Sequence, residues 1–230
     1  MLGLVTRTPT AREQAHAEIR RRILDVARAQ LRAQGASQLS LRSVIAEVGM
    51  VSSAIYRYFP SRDAVLTALI VETYGGLARA LRATPDPPDH SRRARFVALS
   101  TTFLRWGSEH REDFSLLYGT PVRGYQAPEE TIAPAAEVVA PFFEAMAQAE
   151  TAGQATPVPV DGALEQQVAA FATDGLTAAG VTGAIAALTL LVGGLTLHHG
   201  GHYVGSFEPF EAFAGRLAAD ATALAGLGRD

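Results

Sequence analysis

Residues 39–70 read LSLRSVIAEVGMVSSAIYRYFPSRDAVLTALI, and the glycine at position 49 divides them. Before it, Leu41, Val44 and Val48 recur at helical spacing behind Ser40, a residue suited to cap a helix start. After it, Ser52 can cap a second helix over 53–59, which Pro60 ends. Ser61 then caps a longer helix with Asp63 in its first turn. A three-residue turn containing glycine between two short helices predicts a helix-turn-helix, although ordinary helical corners share the pattern. Glycine supplies the positive φ without a Cβ clash. Leu41, Val44, Val48, Val51 and Ile55 are expected to wedge against a preceding helix. Ser52, Ser53, Ala54, Arg57 and Tyr58 are left facing outward.

That preceding helix is visible in Ile19, Ile23, Val26/Ala27 and Leu31, and ends near Gly35. Residues 1–16 are expected to form a flexible arm, and residues 17–77 a helix-turn-helix head. The 230-residue chain has a net charge of −3, and all twenty basic residues are arginine. The charge is unevenly placed. Residues 1–66 hold ten arginines against five acids, a net of +5, and the remainder carries −8. A basic unit on an acidic body suits a polyanionic partner, and equally a solvated basic helix face. No cysteine is present, which excludes disulfides, thiolate metal sites and a cysteine nucleophile. No apolar signal core opens the sequence, so a cytoplasmic protein is expected.

The segment 39–70 closely resembles the DNA-binding domain of tetracycline-repressor-like (TetR-family) transcriptional regulators. The glycine turn, "SSAIYRYFPSR" and the immediate long fourth helix carry the resemblance, which covers about residues 17–70. It implies that Ser52, Ser53 and Ala54 take base-facing positions, where serine hydroxyls meet base edges and alanine a thymine methyl. Tyr56 and Tyr58 would contact phosphates, as would Arg62 at the start of the fourth helix and Arg42 early in the second. Arg57 is a further candidate, with a solvated helix charge as its alternative. Tyr56 has plain packing as its alternative. One departure stands out: Ile45 occupies a position where the family places alanine.

"ATPDPPDHS" (83–91) marks a break, after which a helical body over 91–230 is expected, making the whole chain all-α. "FSLLYGTPVRGYQAPEETIAPA" (114–135) resembles a TetR C-terminal domain that carries a Trp-His-Gly signature. Here that region reads "LTLHHGG", without the tryptophan and with His199-Gly200 retained. The resemblance implies a ligand-binding domain and a homodimer formed by the last two helices, expected over 181–204 and 208–227. Interface candidates are Leu188, Leu191, Leu195, His198, His202, Phe210, Leu217 and Leu224. Phe103, Trp106, His110, Phe114, Tyr118, Phe142, Phe143 and His199 could line a pocket for a largely apolar small-molecule effector, or could simply be core. No charge occurs between Asp174 and Glu208, but Gly175, Gly180, Gly183, Gly193, Gly194, Gly200 and Gly201 break the stretch, and they and its acidic flanks argue against a membrane span.

The expected function is a repressor that binds a pseudo-palindromic double-stranded DNA operator as a homodimer and is released by a small molecule. A ligand-independent architectural DNA binder is the alternative. A helical enzyme using His110 and Glu109 is the lesser one, since no phosphate-binding loop or nucleophile elbow is present; no enzyme activity and no cofactor are expected. "HHGGH" (198–202) could place two histidines four apart for a metal, but the glycines weaken the helix, so no metal is assigned.

Overall fold

Thr10 begins the described chain by capping it: its hydroxyl oxygen accepts from the Glu13 N–H, and its own N–H donates to the Glu13 carboxylate at 2.7 Å. This reciprocal pair is a capping box. It starts helix α1 at Ala11 (Ala11–Gln34). The expected arm over 1–16 is thereby corrected, because residues 11–16 are helical; residues 1–9 lie outside the described residues. The computed structural model describes residues 10–173 and 175–228.

Ile23, Leu24, Ala27 and Leu31 form the buried stripe of α1. Across them lies α2 (Leu41–Val48), which buries Val44, Ile45 and Val48. Ser40 occupies the cap position of α2, but its hydroxyl makes no capping bond. Gly49 ends α2 at φ 75°, ψ 30°, the left-handed conformation that admits glycine readily. Helix α3 is shorter than expected, covering only Ser52–Ile55. Its last turn continues as backbone bonds from Tyr58 N–H and Phe59 N–H to the Ile55 carbonyl, at 2.8 and 2.9 Å. Val51 is 72% exposed and takes no part in the wedge, whereas Ile55 and Phe59 are fully buried. The Ser61 hydroxyl accepts from Ala64 N–H and opens α4 (Arg62–Arg82).

The chain resolves into two compact units. One contains the residues through Ile70 together with Pro121–Pro128; the other contains Val71–Thr120 and the residues from Glu129 on. The division therefore falls inside α4, seven residues before the expected edge at 77. The Pro121–Pro128 loop belongs to the first unit, where the Tyr125 hydroxyl lies 3.0 Å from the buried Thr67 hydroxyl.

The second unit packs α5 (Arg92–Glu109), α6 (Arg111–Tyr118), α7 (Ile132–Thr151), the short α8 (Gly162–Val168), α9 (Ala178–His199) and α10 (Phe210–Leu224). Phe96, Leu99, Phe103, Phe114, Phe142, Met146, Leu191 and Leu195 form its centre, each under 3% exposed. Gly107 matters here. A Cβ on it would sit 2.5 Å from Leu195 Cδ1, so its absence lets α5 approach α9. Helix α9 ends at His199, not 204, and residues 201–206 form a run of turns with Gly201 at φ 76°. No strand occurs among the described residues, which hold one isolated bridge between Thr173 and Leu176. By length and composition alone, α4 and α9 could cross a membrane; half of the apolar window of each is buried inside the protein.

Candidate DNA-binding surface and the body cavity

The turn at Gly49 directs α3 so that Ile55 and Phe59 point inward and a small polar set stays outside. Ser52, Ser53 and Arg57 are exposed, Tyr56 is 55% exposed, and Arg42 is exposed on the first turn of α2. These five side chains are the free part of the expected surface. Serine hydroxyls offer both donor and acceptor, and two arginines and a tyrosine offer donors to phosphate oxygens.

Three expected members sit differently. Ala54 is only 8% exposed, so its methyl belongs to the core and is withdrawn from a base-facing role. With α3 a single turn, Ala54 and Ile55 both roll inward. Tyr58 is half-buried and its ring stacks on His16 at 4.6 Å between centroids. Arg62 turns back into its own unit. Its Nε donates to the Leu39 carbonyl at 2.8 Å, and its Nη2 lies 3.1 and 3.3 Å from the carbonyls of Ala36 and Ser37. Its Nη1 lies 3.7 Å from Asp63.

Two contacts had no sequence expectation. Gln30, buried on α1, donates from Nε2 to the Ser43 hydroxyl and the Glu47 carboxylate, both at 2.9 Å, locking α1 to α2. Arg20 donates to the Tyr58 carbonyl at 3.1 Å and lays its guanidinium 4.2 Å above the Phe59 ring. A glutamine at helical spacing among Ile23, Ala27 and Leu31 was a legible signal; nothing in the run Arg20–Arg22 singles out Arg20.

In the body, a cavity of about 590 Å³ lies where α9 ends and α10 begins, bordered by Arg111, His198, His199, Tyr203, Phe207 and Phe210 among others. Of the eight expected pocket residues only His199 borders it. Phe103, Phe114 and Phe142 are fully buried packing residues, and Trp106 stacks on the exposed His110 at 4.8 Å. Tyr118 and Phe143 pack against the same core. Burial, with the neighbouring Tyr74 adding to it, pushes the Tyr118 hydroxyl well above the usual phenol range.

Burial lowers His199 to about 4, with Arg111 and His198 adding to the shift. The Gly107 backbone pulls weakly the other way without reaching hydrogen-bond geometry, and both ring nitrogens are buried without a partner. Arg111 donates to the His199 carbonyl, tying α6 to the C-terminal end of α9. His198 stacks on Phe210 at 3.8 Å and is lowered by burial and Arg111 against the pull of Glu211. His202 lies beyond the end of α9, so the two histidines do not share a helix face. Among the described residues no three His, Asp or Glu side chains gather as a metal site.

Four of the five expected interface leucines also lie inward. Leu188, Leu191, Leu195, Phe210 and Leu217 are at most 9% exposed within one subunit, while His202 and Leu224 are exposed. The outward face of α9 carries Ile185, Thr189, Gly193, Thr196 and Leu197 instead. The stripe of leucines seen in the sequence packs into the chain's own core.

Known proteins share both the pattern and the fold. The pattern described as "Bacterial regulatory proteins, tetR family" matches residues 23–69, and "Tetracyclin repressor-like, C-terminal domain" matches residues 96–221. A helix-turn-helix head joined to a helical C-terminal domain defines the class. The chain belongs to the tetR family of bacterial regulatory proteins. HTH-type transcriptional regulators Mb1846 of Mycobacterium bovis and Rv1816 of Mycobacterium tuberculosis are each 41% identical over 138 residues. The match spans 59% of this chain and 59% of each relative. The crystal structure of SCO4313 superposes with a TM-score of 0.73 at 28% identity, covering 94% of this chain and 98% of that one. A tetR-family regulatory protein from Rhodococcus RHA1 shares the fold with a TM-score of 0.64 at 18% identity, covering 91% and 97%.

Proposed function

We propose that the protein is a cytoplasmic transcriptional repressor whose homodimer binds a pseudo-palindromic operator and lets go when a small molecule occupies the body. The observation that carries the reading is the cluster Ser52, Ser53, Tyr56, Arg57 and Arg42, exposed together around a left-handed Gly49 on the basic end of an acidic chain. Ser52 and Ser53 read base edges; Tyr56, Arg57 and Arg42 hold phosphates. Two copies are needed because one four-residue helix contacts too few base pairs to select a site, and a two-fold dimer doubles the site. The uncharged outer face of α9, with Ile185, Thr189, Gly193 and Leu197, and the exposed Ala212, Gly215 and Leu224 of α10 support the dimer. The effector acts only through its differential affinity for the binding and non-binding arrangements.

Binding-site selection from a random duplex library tests the reading. The expected result is a two-fold-related consensus bound at moderate salt. Failure of the intact dimer to enrich any sequence would sink it, and a specific complex that no metabolite pool dissociates would favour the architectural alternative. Ile185→Arg combined with Leu197→Glu should yield a folded monomer by light scattering; a persistent dimer would place the interface elsewhere.

A further inference from the structure

Helix α3 is one turn long, and a helix of that length has no stability of its own in water. Something must hold it at a fixed angle. Two arginines brace the stretches of chain that lead up to it and away from it. Arg62, at the head of α4, gathers the carbonyls of Ala36, Ser37 and Leu39, the segment that leads into α2. These carbonyls belong to a single 3-10 turn, Ala36–Gln38, and the residue after it; the Ala36 carbonyl also accepts from the Leu39 N–H at 3.4 Å. Arg20, on α1, takes the Tyr58 carbonyl where the recognition segment leaves α3, and its cation covers the face of the buried Phe59. Four carbonyls and one ring are thus held by two guanidinium groups. The Arg62 side chain is only 28% exposed.

We propose that Arg20 and Arg62 are positioning residues for the recognition segment: Arg20 fixes its trailing end at the Tyr58 carbonyl, Arg62 ties the head of α4 that follows it to the turn that precedes α2, and neither grips DNA phosphate. A planar fork can meet several carbonyls at once and still stack on an aromatic ring, which a lysine ammonium does not reproduce. Holding α3 in its binding geometry before contact removes an ordering cost from association. The benefit falls on sequence-specific binding, which needs the serines placed against base edges, far more than on non-specific attraction to the backbone. The inference rests on the reading that this head binds DNA, but its structural half can be measured without DNA.

The experiment uses the full-length protein as wild type, Arg20→Lys, Arg62→Lys and Arg62→Gln. Amide hydrogen exchange is followed over residues 36–40 and 55–59. Affinities are measured across a salt series for a duplex enriched by the wild-type protein and for an unrelated duplex of the same length. Both lysine variants should exchange about tenfold faster in the segment each arginine holds, with the remaining head amides unchanged. Their affinity for the enriched duplex should fall about tenfold, with the unrelated duplex changed less than about twofold and the salt slope intact. Lysine variants indistinguishable from wild type would overturn the proposal. So would an Arg62→Gln variant that weakens both duplexes equally and lowers the salt slope by about one unit, the mark of a phosphate contact. A lower melting temperature with unchanged exchange and unchanged duplex preference would also overturn it, reducing the arginines to general stabilisers. If the wild type enriches no duplex, the DNA reading fails, and the exchange rates alone decide whether the two arginines hold the segment.

Discussion

The two units are built by different means. The body is held by volume: buried phenylalanines and leucines, an α5–α9 approach in which a Cβ at 107 would displace the Leu195 side chain, and few polar groups inside. The head has shorter helices, and side chains bonded to backbone or to each other define its angles: Gln30 to Ser43 and Glu47, Arg20 to Tyr58, Arg62 to residues 36–39. Packing density resists deformation and loses several kcal/mol for a missing ring, whereas a single hydrogen bond contributes about 0.5–1.5 kcal/mol net. Mutations in the body should therefore act on stability, and mutations in the head on geometry.

The largest expected effect is in the body. Phe103→Ala should cost about 3–5 kcal/mol, read as a lower midpoint in urea unfolding, because it empties a fully buried site ringed by Phe114 and Tyr118. A loss below about 1 kcal/mol would mean that the core collapses easily and the contrast is overstated. In the head, Gly49→Val forces a β-branched side chain to φ 75° and should cost about 1–2 kcal/mol, with operator binding lost even where the fold survives. Full binding by that variant would show that the turn is dispensable.

Smaller effects sharpen the comparison. Ser53→Asn should leave the melting temperature within about 1 °C, as an exposed position allows, yet change which duplex is enriched. An unchanged consensus would remove Ser53 from base reading. His199 supplies the mildest signal. Its folded-state value of about 4 lies below the ordinary 6.5, so the unfolded chain binds the proton more readily. Its contribution is intact above pH 6.5 and is lost as pH falls from 6.5 toward 4. His199→Phe should flatten the body's stability-versus-pH curve across that window, measured by thermal melts in matched buffers. An identical slope in the variant would assign the acid sensitivity to other groups.

Local signals in the sequence carried most of the architecture. Glycines at 35 and 49, Ser61 and the Pro-rich stretch 83–91 mark ends that a single side chain dictates, and the structure places ends there. What escaped were directions set by distant partners. The start of α1 at Ala11 depends on Glu13 turning back to Thr10. The inward turn of Arg62 follows from carbonyls 23 to 26 residues upstream, and the burial of Ala54 and exposure of Val51 from tertiary placement, none of which periodicity encodes. On α9 the amphipathic contrast is nearly absent, because no face carries a charge. The heavier leucine stripe therefore reads in the sequence as an interface, although in the structure leucines fill the chain's own core and smaller residues lie outside. The helix expected to reach 204 stops at His199, beside Gly200 and Gly201, and that end separates His198 from His202.

The bond between Thr67 and Tyr125 has a consequence for how the chain matures. Thr67 is 4% exposed and its hydroxyl partner lies 58 residues downstream, on a loop grouped with the head. On the ribosome, the first unit stays incomplete until the loop emerges, by which time α5 and α6 have already been made. A fragment ending after α4 would carry the whole helix-turn-helix and lack the loop whose Tyr125 hydroxyl meets Thr67. The family's reading head, in this protein, is not finished by its own stretch of sequence; translation must go past position 125 before it closes.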